Sequence, residues 1–271
     1  MLAKNRSLKS RYISFCLGCI IVIGILQALF SKLVEWVPSF SPLLFPTLTI
    51  FLLVFHLFIA CFMAMKYWCD RRRLYLIAIA FAFAGSTLLM VGTLSSFPAW
   101  LDLYQFNVVN YNDAMIYYMF RHLLMALMLI IAAILYITRN HPLSRQAHIF
   151  IVSGAFLFTA GTVALAWMYS SHSPLLSIDL VDNETRQFMV LWSHFINISL
   201  IVLWVVTLAT LMFVTRVRNL FWVGGNFLCV CYIVTLSMLL AGGHAEDISW
   251  YRARLFETVA TLLIIFVLLY D

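Results

Sequence analysis

Charge is what this sequence has least of. Of 271 residues, 17 are Lys or Arg and 11 are Asp or Glu, 10% in all, against about a quarter in an ordinary soluble domain. No stretch is polar enough to form a water-exposed catalytic domain, so one membrane-embedded unit over residues 1–271 is expected. Six prolines and ten glycines do not supply the paired broken helices typical of many transporters; Gly224-Gly225 beside Asn226 comes nearest, and close helix packing explains it as well. Catalytic signatures are missing too: no Gly-rich phosphate loop, no His-Glu-x-x-His, no Gly-x-Ser-x-Gly and no kinase set. The six cysteines, Cys16, Cys19, Cys61, Cys69, Cys229 and Cys231, all fall outside the predicted external loops, which leaves a disulfide framework unsupported. The sequence therefore offers no catalytic residue, no metal site and no cofactor.

What it has in abundance is apolar surface. Hydrophobic residues make up 64% of the chain, with 23 Phe, 12 Tyr and 8 Trp, and the mean hydropathy is +0.99. Runs of about 20 apolar residues recur between short polar breaks, each long enough to cross about 30 Å of hydrocarbon as a helix that satisfies its own backbone. Eight spans are predicted, at 13–33, 45–68, 74–97, 114–138, 149–170, 189–214, 220–241 and 251–270. The fold class is all-α, a polytopic integral membrane bundle. The first span is too long for a cleavable leader and lacks a small-residue cleavage site.

Basic residues set the orientation. Lys4, Arg6, Lys9 and Arg11 precede span 1, Lys66 and Arg71 to Arg73 follow span 2, Arg139 and Arg145 follow span 4, and Arg216 and Arg218 follow span 6. The alternate loops hold Glu35, Asp102, Asp113, Asp179, Asp182, Glu184, Glu246 and Asp247, with Lys32, Arg186 and Arg252 beside them. Both termini are therefore expected in the cytoplasm. The +6 net charge reflects these dispersed flanks, which attract anionic lipid, and not a nucleic-acid surface. Two outer loops, 98–113 and 171–188, are apolar enough to fold back as lids or lie among headgroups.

Ionisable groups inside a membrane are costly and face protein or a wet cavity. Arg121 and His122 in span 4, His194 and Asn197 in span 6, and Arg254 and Glu257 in span 8 fall at similar depths below the outer face, counting 1.5 Å per residue. Tyr117 and Tyr118 precede Arg121 by four and three residues, His194 and Asn197 are three apart, and so are Arg254 and Glu257; helical spacing puts each set on one face. His56 in span 2 sits deeper, as a floor. One reading is structural: Arg254 or Arg121 paired with Glu257 fixes packing, and the histidines are hydrogen-bonded core residues. The other is a pocket open to the outside, formed by Tyr118, Arg121, His122, His194, Asn197, Arg254 and Glu257. It would take a small polar or anionic molecule through the arginine forks or respond to protons through the histidines.

Three strings carry a likeness. Asp70-Arg71-Arg72 closing span 2, Asn112-Asp113-Ala114-Met115-Ile116-Tyr117-Tyr118-Met119-Phe120-Arg121 opening span 4, and Ser249-Trp250-Tyr251-x-x-Arg254-x-x-Glu257 opening span 8 resemble the fourth class of bacterial membrane-associated sensor domains. The likeness runs from about residue 45 onward, with span 1 matching only in type. It implies a sensory module, which in relatives precedes a cytoplasmic diguanylate cyclase (GGDEF) domain or a degenerate form of it, and it singles out Arg121, Arg254 and Glu257. No such domain follows Asp271 in this sequence. The expected function is a membrane sensor, not itself an enzyme, that passes its signal through span 8 to an output. The partners are membrane lipids, a small-molecule signal, and a second copy or a cytoplasmic output protein. The alternative is a permease for a small solute; span 8 argues against it, since below Thr258 and Thr261 it offers only an apolar plug.

Overall fold

A computed structural model of the chain describes residues 8–36, 43–97, 109–140 and 144–270. It contains eight helices: α1 (Leu8–Trp36), α2 (Leu44–Cys69), α3 (Leu74–Ser95), α4 (Tyr111–Ile137), α5 (Arg145–Tyr169), α6 (Asn197–Thr215), α7 (Leu220–Ala241) and α8 (Ile248–Tyr270). A π turn, Leu191–Ile196, leads directly into α6. With that turn counted into the sixth, all eight are long and apolar enough to cross a membrane. The observed bounds lie within five residues of the predicted spans, and several helices run further because capped turns extend them. Asn110 Oδ1 accepts from the Asp113 N–H at 3.0 Å, and Ser144 Oγ accepts from the Ala147 N–H at 3.2 Å, each satisfying an amide that a helix start leaves open.

Six helices close a ring. In order around it, α2 packs on α3, α3 on α4, α4 on α6, α6 on α7, α7 on α8, and α8 back on α2. The remaining two lie outside it, α5 against α3 and α4, and α1 against α7 and α8. The attachment of α1 is light: Leu26 and Phe30 pack with Cys231, Phe256 and Ala260, and the Tyr12 hydroxyl donates to the Met212 carbonyl at 3.1 Å. Outward-facing residues such as Trp68, Phe150 and Phe213 are apolar and largely exposed, as expected where the surrounding medium is lipid.

The α5–α6 loop folds back over the ring. Asn112 Nδ2 donates to the Ile178 carbonyl at 2.8 Å, and its Oδ1 accepts from the Leu180 N–H at 2.7 Å and the Val181 N–H at 3.2 Å. Leu180 and Val181 are buried beneath. Asp113, itself buried, accepts from the Ser171 N–H at 2.9 Å and its hydroxyl at 2.5 Å. An isolated bridge joins Val181 to Phe188 and another joins Gln187 to His244 of the α7–α8 turn, where Arg186 Nη1 also reaches Glu246 at 2.6 Å. The loop expected at 171–188 to fold back as a lid or lie among headgroups is thus tied to α4 and to the α7–α8 turn. Of the other expected lid, residues 98–108, with Trp100, Leu101, Leu103, Tyr104 and Phe106, lie outside the described residues, as do Lys4, Arg6 and Asp102.

Candidate functional site

Helices α4 and α8 are not neighbours in the ring, yet they are joined through its interior. Arg121 lies about 15 Å down α4 and Glu257 about 14 Å down α8, at 1.5 Å per residue, so the two meet level. Arg121 grips Glu257 with both terminal nitrogens: Nη2 donates to Oε2 at 3.0 Å and Nη1 to Oε1. Arg254 Nη1 donates to the same Oε2 at 3.3 Å. All three side chains are buried. The forked pairing explains why arginine serves here: a planar guanidinium matches a carboxylate edge to edge.

Aromatic rings wall the ion cluster. The Arg121 guanidinium carbon stands 5.1 Å from the centre of the Tyr118 ring, and that of Arg254 stands 4.6 Å from Phe45 and 5.9 Å from Tyr118, within reach of cation–π attraction. His122 is fully buried and wedged between Tyr118, Trp204 and Tyr232. Trp204 Nε1 donates to its Nδ1 at 3.1 Å, and Arg121 Nη2 lies 3.3 Å from its Nε2. Both neighbours are donors, so a doubly protonated ring would find no acceptor at either nitrogen.

Beside the cluster is a small hollow lined by Tyr118, Trp250, Arg254 and Glu257 together with apolar side chains from α2, α4, α7 and α8. Its free space is about 10 Å³, on the order of one water molecule. The Tyr118 hydroxyl and Trp250 Nε1 are buried with no hydrogen-bond partner among the described residues, an arrangement native interiors rarely leave unmet. Further in lies a second hollow of about 30 Å³ with a mostly apolar lining, Ile59, Met63, Phe83, Leu129, Leu228 and Ile264 among its wall residues.

The residues singled out by sequence divide into two groups. Tyr118, Arg121, His122, Arg254 and Glu257 come together. Tyr117, expected on the same face, instead packs on α3, where its ring is the nearest neighbour of Gly92. Asn197 is fully buried, but neither of its amide atoms has a hydrogen-bond partner among the described residues, so no such bond links it to the ion cluster. The expectation for His194 fails: it is exposed on the outside of the bundle and bonds its neighbour Ser193 at 2.9 Å. Its reason is the π turn. Hydrogen bonds from i to i+5 widen that turn, so three residues no longer come nearly full circle and His194 parts from Asn197. His56, the expected floor, is buried with Nδ1 2.8 Å from Ser86 Oγ, its ring edge-on to Phe83 at 4.9 Å, and Nε2 without a partner.

Sequence reasoning missed Phe45, Trp204, Tyr232 and Trp250. Trp204 had a signal, since it stands seven residues after Asn197 and so on the same helical face. Trp250 had one as well, standing in the Ser249-Trp250-Tyr251 string, whereas Phe45 and Tyr232 are two aromatics among 43 in the chain, and nothing local distinguishes them.

An all-α, polytopic bundle with an ionic centre sealed inside its ring is the class these observations define. The chain belongs to the family described as membrane-associated sensor, integral membrane domain (MASE4), which matches residues 38–271. The match leaves out α1, the helix that also stands outside the ring. Over 211 residues the chain is 22% identical to the probable diguanylate cyclase DgcT of Escherichia coli strain K12, covering 76% of this chain and 46% of that protein. It therefore spans about half the length of that relative. No solved structure matches it.

Proposed function

We propose that the chain is the signal-input part of a bacterial inner-membrane sensor, binding a small polar or anionic molecule at the hollow beside Arg254 and Glu257, which widens from its present space of about one water molecule to admit it. The single observation that carries this reading is a three-part ion cluster, tied across the ring between helices that are not neighbours in it, next to buried donors of Tyr118 and Trp250 without hydrogen-bond partners among the described residues. Arg254 holds Glu257 through one long bond, whereas Arg121 holds it through two. An incoming anion would compete for Arg254 first. That bond lies within α8, so the anion acts on the α4–α8 tie through Glu257: with Arg254 drawn to the anion, Glu257 is left to Arg121 alone, α8 shifts or rotates against α4, and it carries the change to its far end. A ligand moves such an equilibrium only by its differential affinity for the two arrangements. Output then lies with a cytoplasmic domain or partner, in relatives a diguanylate cyclase, and pairing of two copies is one way to pass the motion on.

The test uses the purified chain in lipid nanodiscs with sodium chloride, nitrate, acetate and phosphate as probes. A saturable rise in Tm with at least one anion, absent in Arg254→Gln, supports the reading. A ligand at a hundred times its Kd stabilises by about 2.7 kcal/mol, well within detection. Equal responses in both proteins, or none in either, refute it. Spin labels at Tyr270 and Cys69 then report whether the active anion changes the distance between the ends of α8 and α2.

Transport is the second reading. The mostly apolar lining below the cluster weighs against it, and saturable uptake into proteoliposomes that vanishes in Arg121→Ala would restore it.

A further inference from the structure

The opposite end of the bundle carries a second site, built from arginines that the sensory reading does not use. Between the end of α4 and the α6–α7 turn lies a cleft of about 350 Å³, lined by Tyr136, Ile137, Arg139, Phe213, Val214, Thr215, Arg216 and Arg218. Two separate segments thus bring three guanidinium groups around one space, and no carboxylate is in its lining. Arg139 is held in place: Nη1 donates to the Tyr136 carbonyl at 2.7 Å, and its guanidinium carbon stacks 3.9 Å from the centre of the Tyr136 ring.

The turn that supplies the other two arginines is strained. Arg216 has φ 51° and Val217 φ 49°, consecutive non-glycine residues in the left-handed region, which a β-branched side chain adopts only under constraint. The constraint is visible. Val217 is buried with Phe15 and Cys19 of α1, its N–H is 3.4 Å from Thr215 Oγ1, and the Arg218 N–H donates to the Thr215 carbonyl at 3.3 Å. Burying Val217 between them leaves the exposed Arg216 and Arg218 both on the cleft. Two apolar residues of the same lining point outward, Ile137 at 58% and Phe213 at 81% exposure, on a surface that faces hydrocarbon in a membrane-spanning bundle.

We propose that this cleft binds the phosphate headgroup of an anionic phospholipid, with the acyl chains lying along Ile137 and Phe213. The chemistry follows from the lining. A phosphodiester offers two charged oxygens to forked donors, and basic hollows between membrane helices near the headgroup layer suit such lipids. A free phosphate compound would satisfy the arginines equally but would leave the adjoining apolar surface without a role, so the lipid is the occupant the whole cleft fits.

Native mass spectrometry tests this on the full chain released from nanodiscs of phosphatidylcholine and phosphatidylglycerol at four to one. Three proteins are compared: the unaltered chain, the cleft variant Arg139→Gln/Arg216→Gln/Arg218→Gln, and the control Arg71→Gln/Arg72→Gln/Arg145→Gln, which removes equal charge from neighbouring turns. The expected result is one retained phosphatidylglycerol on the unaltered chain and the control, with roughly tenfold lower occupancy in the cleft variant, taking a tenfold change as one clear step in affinity. Three results overturn the proposal: no lipid retained on the unaltered chain, equal loss in the two variants, or displacement of the lipid by millimolar glycerol phosphate. If the triple variant loses helicity in pure phosphatidylcholine, Arg139→Gln alone carries the test. Its segment is independent of the strained turn, and undiminished retention there counts against the cleft.

Discussion

Replacing Glu257 by Gln is the sharpest probe of the ionic centre, because its effect can be ranked against two companions. Glu257 accepts from both Arg121 and Arg254, and Arg121 and Glu257 are each only 1% exposed. In Glu257→Gln two cations share a buried site with no carboxylate between them. Breaking a buried pair in this way costs about 3–5 kcal/mol, roughly a hundred-fold to several-thousand-fold in the folding equilibrium at 1.4 kcal/mol per decade. Arg254→Met is milder at about 1–2 kcal/mol, since one charged hydrogen bond is lost while the two-pronged Arg121 pair stays neutral. Arg121→Met falls between, as Glu257 keeps Arg254 as its counter-charge. The double variant Arg121→Met/Glu257→Gln removes one of the two repelling cations, so it should be more stable than Glu257→Gln alone. Reversible unfolding in mixed micelles, followed by circular dichroism as dodecyl sulfate is increased, measures all four. A loss below about 1 kcal/mol for Glu257→Gln, or a double variant less stable than that single one, would refute the account of two buried arginines held by one shared carboxylate.

Other outcomes follow from single contacts. Asp113→Ala removes the acceptor for both the Ser171 N–H and its hydroxyl; a loss of about 1.5–3 kcal/mol and faster amide exchange at Ser171 are expected, with the exchange of α8 unchanged. Gly92→Ala places a methyl carbon 2.5 to 2.7 Å from three atoms of the Tyr117 ring, so it should destabilise by about 1–3 kcal/mol, while Gly154→Ala, which meets nothing within 4 Å, should be neutral; equal Tm values would show that the α3–α4 contact is looser than drawn. In the exposed loop, the Thr185 hydroxyl at 2.6 Å and the Glu184 N–H hold the Asp182 carboxyl below its ordinary range. Because the folded value is depressed, the order of this turn is full above the unfolded carboxylate range and is lost as pH falls through the folded value. Thr185→Val should shift that loss to higher pH, read from the carboxyl carbon of Asp182 by nuclear magnetic resonance.

The eight spans, their order and the residues able to carry charge into the membrane were legible in the chain, because local apolar content over about 20 residues decides whether a helix crosses a bilayer. The Arg121, Arg254 and Glu257 positions were legible for the same local reason: an ionisable side chain inside such a run demands a partner. Their meeting was foreshadowed by equal depth along α4 and α8. Which face of each helix looks inward was not legible. A soluble helix announces its buried face by an apolar stripe, but these helices are apolar all round, and lipid and protein interior read alike. The ring order therefore decided that Trp204 and Tyr232 cradle His122, that Asn112 and Asp113 fasten the α5–α6 loop, and that Tyr117 belongs to the α3 contact. A single π turn, which no periodicity in the sequence reveals, turned His194 out of the bundle. The composition dictated that the chain crosses the membrane eight times; packing of its helices against one another dictated what those crossings enclose, because only tertiary contacts distinguish one apolar face from another.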